Sequence, residues 1–186
     1  MPTEEMLLNG EEKMEKAINA LKKEFGAVRT GRANPLILDK VVVDYYGAPT
    51  PLRQMSQVSV QDGQTLVITP YDKSIIKEIE KAMIKAELGI TPNSDGLVIR
   101  LTFPPLTEER RREICKDVKK TAEDSKVAIR NIRRDMTDEL KKIEKSDNLP
   151  EDAVKDNQDQ IQKLTDKYVK LIDELSSEKE KEVMTV

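Results

Sequence analysis

Apolar residues recur at helical spacing through the start of the chain: Leu7, Met14, Ile18, Leu21, Phe25 and Val28 stand three, four or seven positions apart. That spacing lays a single apolar stripe along a helix over 3–28. Asn9-Gly10 is expected to weaken its first turns, and the pattern runs out near Thr30-Gly31. The character then changes. LILDKVVVDYY (36–46) is rich in β-branched and aromatic residues and predicts a strand. GAPTPL, with Pro49 and Pro51, predicts a loop or sheet edge. SQVSV and TLVIT flank Gln61-Asp62-Gly63-Gln64, whose Asp-Gly is a strong hairpin signal, and Pro70 closes the second strand. Asp72 is placed to cap a short helix, KSIIKEIEKAMIKAE, that stops at Gly89. Pro92-Asn93-Ser94-Asp95-Gly96 has the composition of a turn. In LVIRLTF, Leu97, Ile99, Leu101 and Phe103 alternate with Val98, Arg100 and Thr102, which predicts a last strand.

Pro104-Pro105 ends this strand-rich stretch. Thr107 is positioned to cap the next helix, with Glu108 and Glu109 at its positive end. From there to Lys145 no Gly or Pro intervenes, which predicts a helix about 58 Å long at ~1.5 Å per residue. Asp147-Asn148-Leu149-Pro150 is a turn. A final helix to about Lys181 carries Val154, Ile161, Leu164, Tyr168, Leu171, Ile172 and Leu175 on one stripe. A helix with a single apolar stripe cannot bury it alone. The economical arrangement is an α+β fold: an elongated three-helix bundle from 1–30 plus 106–186, with a small β/α/β domain, 31–105, inserted into it. The insert is entered and left through Thr30, Gly31, Pro104, Pro105 and Leu106, and two short connections at one place predict a hinge.

Charge sharpens this picture. The total is −3, yet between Arg110 and Lys142 there are 12 Lys/Arg against 7 Asp/Glu, a net of +5 that leaves −8 for the rest. At about 100° per residue, Ile114, Val118, Thr121, Ser125, Ile129, Ile132, Met136, Leu140 and Ile143 form the apolar stripe of the long helix. Roughly opposite lie Arg112, Lys116, Lys119, Lys126, Arg130, Arg133, Arg134 and Lys141. A face kept for solubility intersperses both signs at i,i+4, whereas Lys126/Arg130 and Arg130/Arg134 are like pairs at that spacing. Such segregation suits a polyanion, and the guanidinium fork suits phosphate. A long rigid helix without helix-turn-helix or zinc signatures does not fit a DNA groove; a large folded RNA suits it better. Arg29 and Arg32, in RTGRANP, add a second basic cluster at the entrance to the insert. The alternative is a helical scaffold that docks acidic proteins through the same stripe.

The chain lacks the usual equipment for catalysis. It has no histidine, no Gly-rich phosphate loop and no Cys/His metal set. Cys115, the one cysteine, sits beside the apolar stripe and reads as a packed thiol. No disulfide can form within the chain, no run reaches the ~18 apolar residues of a membrane span, and the acidic first residues do not read as a signal peptide. A cytoplasmic protein without enzymatic activity, cofactor or metal is expected.

RTGRANP (29–35), VVDYYGAPTPLRQ (42–54), LGITPNSDG (88–96), FPPLTEERR (103–111), AIRNIRRD (128–135) and QKLTDKYV (162–169) together resemble the ribosome recycling factor family, in order and over nearly the whole chain. The resemblance implies an L-shaped protein with mobile joints between the bundle and the smaller arm. It implies binding to the ribosome left on messenger RNA after peptide release, and splitting of that ribosome with elongation factor G and its GTP hydrolysis. It further implies a bundle lying on large-subunit RNA, with Arg29, Arg32, Arg130, Arg133 and Arg134 as contacts. The smaller arm would face elongation factor G, and the factor would act as a monomer.

Overall fold

A computed structural model describes residues 1–185. The chain forms two compact units, one of Met1–Val28 with Arg112–Thr185 and one of Arg29–Arg111.

The first unit is built on three helices, α1 (Pro2–Gly26), α4 (Glu108–Asp147) and α5 (Glu151–Met184). Pro2 in the first turn of α1 lacks the N–H that would be orphaned there. Thr107 caps α4, its Oγ1 accepting from Arg110 N at 3.1 Å. Asn148, at φ 47°, turns the chain toward α5. The three stripes meet in one core, with Met14 and Ile18 from α1, Ile129 and Met136 from α4, and Ile161 and Ile172 from α5 all buried. Each such side chain contributes about 1.5–3 kcal/mol when fully buried. Ala122 joins the α4 stripe as a buried residue. Helix α1 runs unbroken through Gly10; Gly10 is buried, and a Cβ there would fall on the Met136 side chain, so the glycine lets α1 and α4 approach closely. Lys119 and Lys126 of α4 are ion-paired to Glu180 and Asp173 of α5.

The second unit holds a two-stranded hairpin, β1 (Val42–Tyr45) with β2 (Ala48–Pro51), and a four-stranded antiparallel sheet. The sheet runs β3–β4–β6–β5, made by β3 (Ser56–Gln61), β4 (Thr65–Pro70), β5 (Asn93–Ser94) and β6 (Ile99–Thr102). One turn of helix, α2 (Leu52–Met55), leads into β3, and α3 (Ile76–Lys85) follows β4. Alternation sets the buried face: Leu66, Ile68, Ile99 and Leu101 pack against Ile79 and Met83 of α3 and Leu38, Val43 and Leu52 in one cluster. The hairpin predicted at Asp62-Gly63 forms, with Gln61 opposite Thr65.

The stretch read as one strand over 36–46 divides. Pro35–Lys40 is a 3-10 helix, because Asn34 Oδ1 accepts from Leu36 N at 3.0 Å and Pro35 fits a first helical turn. The strand begins only at Val42. The short helix after Asp72 opens as a 3-10 turn at Lys73–Ile75 and ends at Lys85, before Gly89. Within the stretch read as turn, Asn93–Ser94 pairs with β6.

Candidate nucleic-acid interface

Helix α4 presents its basic residues in two distinct states. Lys119 Nζ lies 3.5 Å from Glu180 Oε1. Lys126 Nζ contacts Glu123 Oε1 at 3.2 Å and also pairs with Asp173; its side chain is only 14% exposed. The hydrogen bond to Asp173 raises the Lys126 ammonium above the usual lysine range. Lys126, read from periodicity as part of the open basic face, is therefore turned into the α4–α5 seam, where Asp173 supplies its counter-charge. Lys116 and Arg112 are exposed on α4.

Arg130, Arg133 and Arg134 behave differently. Among the described residues their guanidinium groups take part in no ion pair or hydrogen bond. Arg130 and Arg134 are exposed and Arg133 is half-buried. By helical rotation Arg130 and Arg134 lie about 40° apart, with Arg133 about 60° from Arg130 on the side that carries Cys115 and Lys126. Three cationic forks at i, i+3 and i+4 without counter-ions repel one another by a few tenths of a kcal/mol per pair. A bridging anion such as phosphate turns that repulsion into attraction, and guanidinium geometry offers it two donors at once.

The second cluster lies in the other unit. Arg29 Nη2 donates to the Pro104 carbonyl at 3.1 Å, while its Nε is buried without an acceptor. Arg32 is exposed. Gly31 adopts φ 85°, a left-handed conformation that favours glycine, and the nearest side chain to a Cβ there would be Leu106, at 3.9 Å. Thr30 is half-buried, Pro104 and Pro105 are exposed and Leu106 is buried. Just inside these residues the chain is anchored: Ala33 N donates to Gly63 O at 2.9 Å and Phe103 N to Gln64 O at 2.7 Å. Both connections of the insert are thus held by one hairpin turn.

Arg111 was not singled out by charge reasoning. It is half-buried, and its Nε has no acceptor. The signal was present, since Arg111 stands seven residues before Val118 and so falls on the apolar stripe. Cys115 is half-buried with its Sγ 3.9 Å from the Glu180 carbonyl, and burial pushes its thiol up, away from the reactive thiolate. No group of His, Cys, Asp or Glu among the described residues could hold a metal ion. No helix among them is long and apolar enough to cross a membrane.

A family model described as Ribosome recycling factor matches residues 21–184. The ribosome-recycling factor of Bacillus subtilis is 55% identical over 184 residues, covering 99% of this chain and 100% of its own length. That of Caldicellulosiruptor saccharolyticus is 58% identical over 176 residues, 95% of this chain and 96% of its own. Among solved structures, a solution structure of the ribosome recycling factor aligns over 100% of this chain and 99% of its own, with a TM-score of 0.81 and 38% identity. A second, of the T. thermophilus ribosome recycling factor with E. coli elongation factor G on the E. coli post-termination complex, aligns over 100% of both chains with a TM-score of 0.68 and 40% identity.

Proposed function

Since the chain belongs to the ribosome recycling factor family, we propose that it binds the post-termination ribosome and, with elongation factor G and the GTP that factor hydrolyses, splits the ribosome into subunits and frees it from messenger RNA. The observation that carries this reading is the set of three guanidinium groups at Arg130, Arg133 and Arg134 that have no partner among the described residues. They meet ribosomal RNA phosphates of the large subunit, joined by Arg32, Arg112 and Lys116. Arg29 reaches the same RNA by exchanging the Pro104 carbonyl for a phosphate oxygen, which also supplies the acceptor its buried Nε lacks. Lys119 contributes by exchanging Glu180, whereas Lys126 stays with Asp173 and Glu123 as a strut of the bundle.

The factor performs no covalent chemistry and needs no cofactor. It works in the cytoplasm as a monomer, through RNA and elongation factor G and not through DNA or a membrane. The smaller unit faces elongation factor G, and movement about Thr30, Gly31, Pro104, Pro105 and Leu106 transmits the push of that factor to the RNA-bound helices.

Sedimentation with ribosomes at increasing salt tests the reading, alongside light scattering of splitting with elongation factor G and GTP. Comigration should weaken steeply with salt, because each phosphate contact releases counter-ions. Arg134→Glu should weaken it at moderate salt by more than about tenfold while melting shifts by less than ~0.5 kcal/mol, as for other exposed substitutions. Arg130→Lys should do partial damage, because the charge remains and the fork is lost. A wild-type protein that pellets with no ribosomal subunit at low salt overturns the reading and favours the acidic-partner scaffold.

A further inference from the structure

The arginine face of α4 carries two residues that electrostatics does not explain. Val127 is 49% exposed and, among the described residues, is the one exposed large hydrophobic side chain of α4. Its helical position is almost directly opposite the buried stripe of Val118, Ile129 and Met136. One turn on stand Arg130 and Asn131, and Arg134 follows at i+7. Asn131 is exposed, and among the described residues its amide has no hydrogen-bond partner. One turn back stand Glu123 and Asp124, both exposed.

This order constrains an RNA strand. Phosphates held by Arg130 and Arg134 that continued along α4 would meet Asp124 and Glu123, the latter already paired with Lys126, with no free cation there among the described residues to receive them, so the backbone is expected to leave the helix near Val127. The surface presented there is one aliphatic side chain and one amide, which cannot neutralise phosphate but can pack on a ribose and hydrogen-bond a 2′-hydroxyl or a base edge. A single exposed aliphatic residue is ordinary on a protein surface. Its position between a carboxylate pair and an arginine cluster, next to an amide with no partner, is what gives it a role.

We propose that Val127 and Asn131 form a non-ionic contact through which α4 meets the sugar and base edges of the RNA whose phosphates Arg130 and Arg134 hold. The proposal rests on the RNA-binding reading above and adds the residues that give the contact shape and sequence selectivity beyond charge.

Salt dependence separates the two. Binding of the full chain to purified large ribosomal subunits is measured from about 50 to 300 mM KCl for wild type, Val127→Ser, Asn131→Ala and Arg134→Ala. Val127→Ser and Asn131→Ala should each weaken binding about fivefold at every salt concentration, the scale expected for losing one half-buried aliphatic or amide contact. Their plots of log affinity against log salt should run parallel to wild type, whereas Arg134→Ala should flatten the slope by about one. If Arg134→Ala flattens the slope while Val127→Ser and Asn131→Ala bind as wild type does, this proposal fails and the RNA reading stands. A changed slope for the two non-ionic variants also overturns it, because they would then be acting through the charges around them. If Arg134→Ala has no effect at any salt, the RNA reading of this face fails as well. Asn131→Ala, in a helix-favouring direction, keeps the test valid should Val127→Ser melt early.

Discussion

The Tyr168 hydroxyl donates to the Glu11 carboxylate at 3.0 Å and lies 3.4 Å from Glu15, so the middle of α5 is tied to α1 by a phenol whose ring is buried. Lys167 stands 5.2 Å from the same ring centroid and pairs with Glu11 at 3.4 Å. Burial first, and then the two carboxylates, push the phenol above its ordinary range.

The pH dependence follows from that direction. The folded hydroxyl holds its proton more tightly than the unfolded one, so its contribution is complete below the ordinary tyrosine value of about 10 and is lost as pH rises beyond it. Tyr168→Phe should cost about 1 kcal/mol near neutral pH. The gap in urea midpoint between wild type and variant should narrow between about pH 9 and 11, the range in which the unfolded phenol ionises. A gap that stays constant across that range refutes the assignment.

Gly10 and Met136 bring α1 and α4 into close approach. Replacing a mid-helix glycine with alanine ordinarily gains up to about 1 kcal/mol. Here the new methyl would collide with Met136 Sδ and Cε, and the buried Met136 side chain would have to shift to make room. Gly10→Ala should therefore lower stability by about 1 kcal/mol net, overpacking outweighing propensity. In a Met136→Ala background the same change should become stabilising. Thermal melts of the four proteins form the cycle, and a stabilised single mutant would show that the seam is loose.

In the smaller unit, the Asp95 carboxylate accepts from Leu97 N, Val98 N and Arg100 Nη1, each at 2.9 Å. The backbone donors, led by Val98 N, hold its pKa down to about 2. A carboxylate depressed in the folded state contributes fully above its unfolded value near 4 and loses that contribution as pH falls toward its folded one. The stability advantage of wild type over Asp95→Asn should thus be present at pH 6 and fade between about pH 4 and 2. A carboxyl chemical-shift titration of Asp95 with a midpoint near the ordinary aspartate value would contradict it.

Gly31 invites a lock on the proposed movement, and its conformation says which lock fails. Proline fixes φ near −65°, incompatible with the observed 85°, so Gly31→Pro would break the turn and test folding only. Gly31→Ala meets nothing closer than Leu106 at 3.9 Å, but an L residue at φ 85° is strained, at a cost of about 1–2 kcal/mol. With this variant, ribosome binding by sedimentation should stay near wild type, while splitting by light scattering should fall several-fold. Splitting at the normal rate would leave these residues as a tether.

The long elements were legible because their signal is summed over many residues. The helix from Glu108 to Asp147 announced itself by unbroken periodicity and by the cap at Thr107. The hairpin at Asp62-Gly63 did so by turn chemistry. What misled was local competition and distant pairing. The β-branched run over 36–46 lost its first half to an asparagine cap and a proline that favour a helical turn. Lys126 looked open because Asp173, which neutralises it, lies forty-seven residues away on another helix. Gly10 read as a weak point of the first turns, and its place against Met136 could not be seen because that neighbour is distant in sequence. Arg130, Arg133 and Arg134 differ from Lys126 in that no carboxylate among the described residues pairs with them.

The bonds from Ala33 and Phe103 to the carbonyls of Gly63 and Gln64 also bear on how a chain of this kind assembles. Closing a loop of seventy or so residues costs about 2–3 kcal/mol more entropy than closing one of four or five. Once the insert has folded, its own hairpin has already brought its two ends together, and the helices on either side inherit a short splice in place of a long loop. Loop closure is therefore cheaper if the insert pairs its own strands before the helices meet.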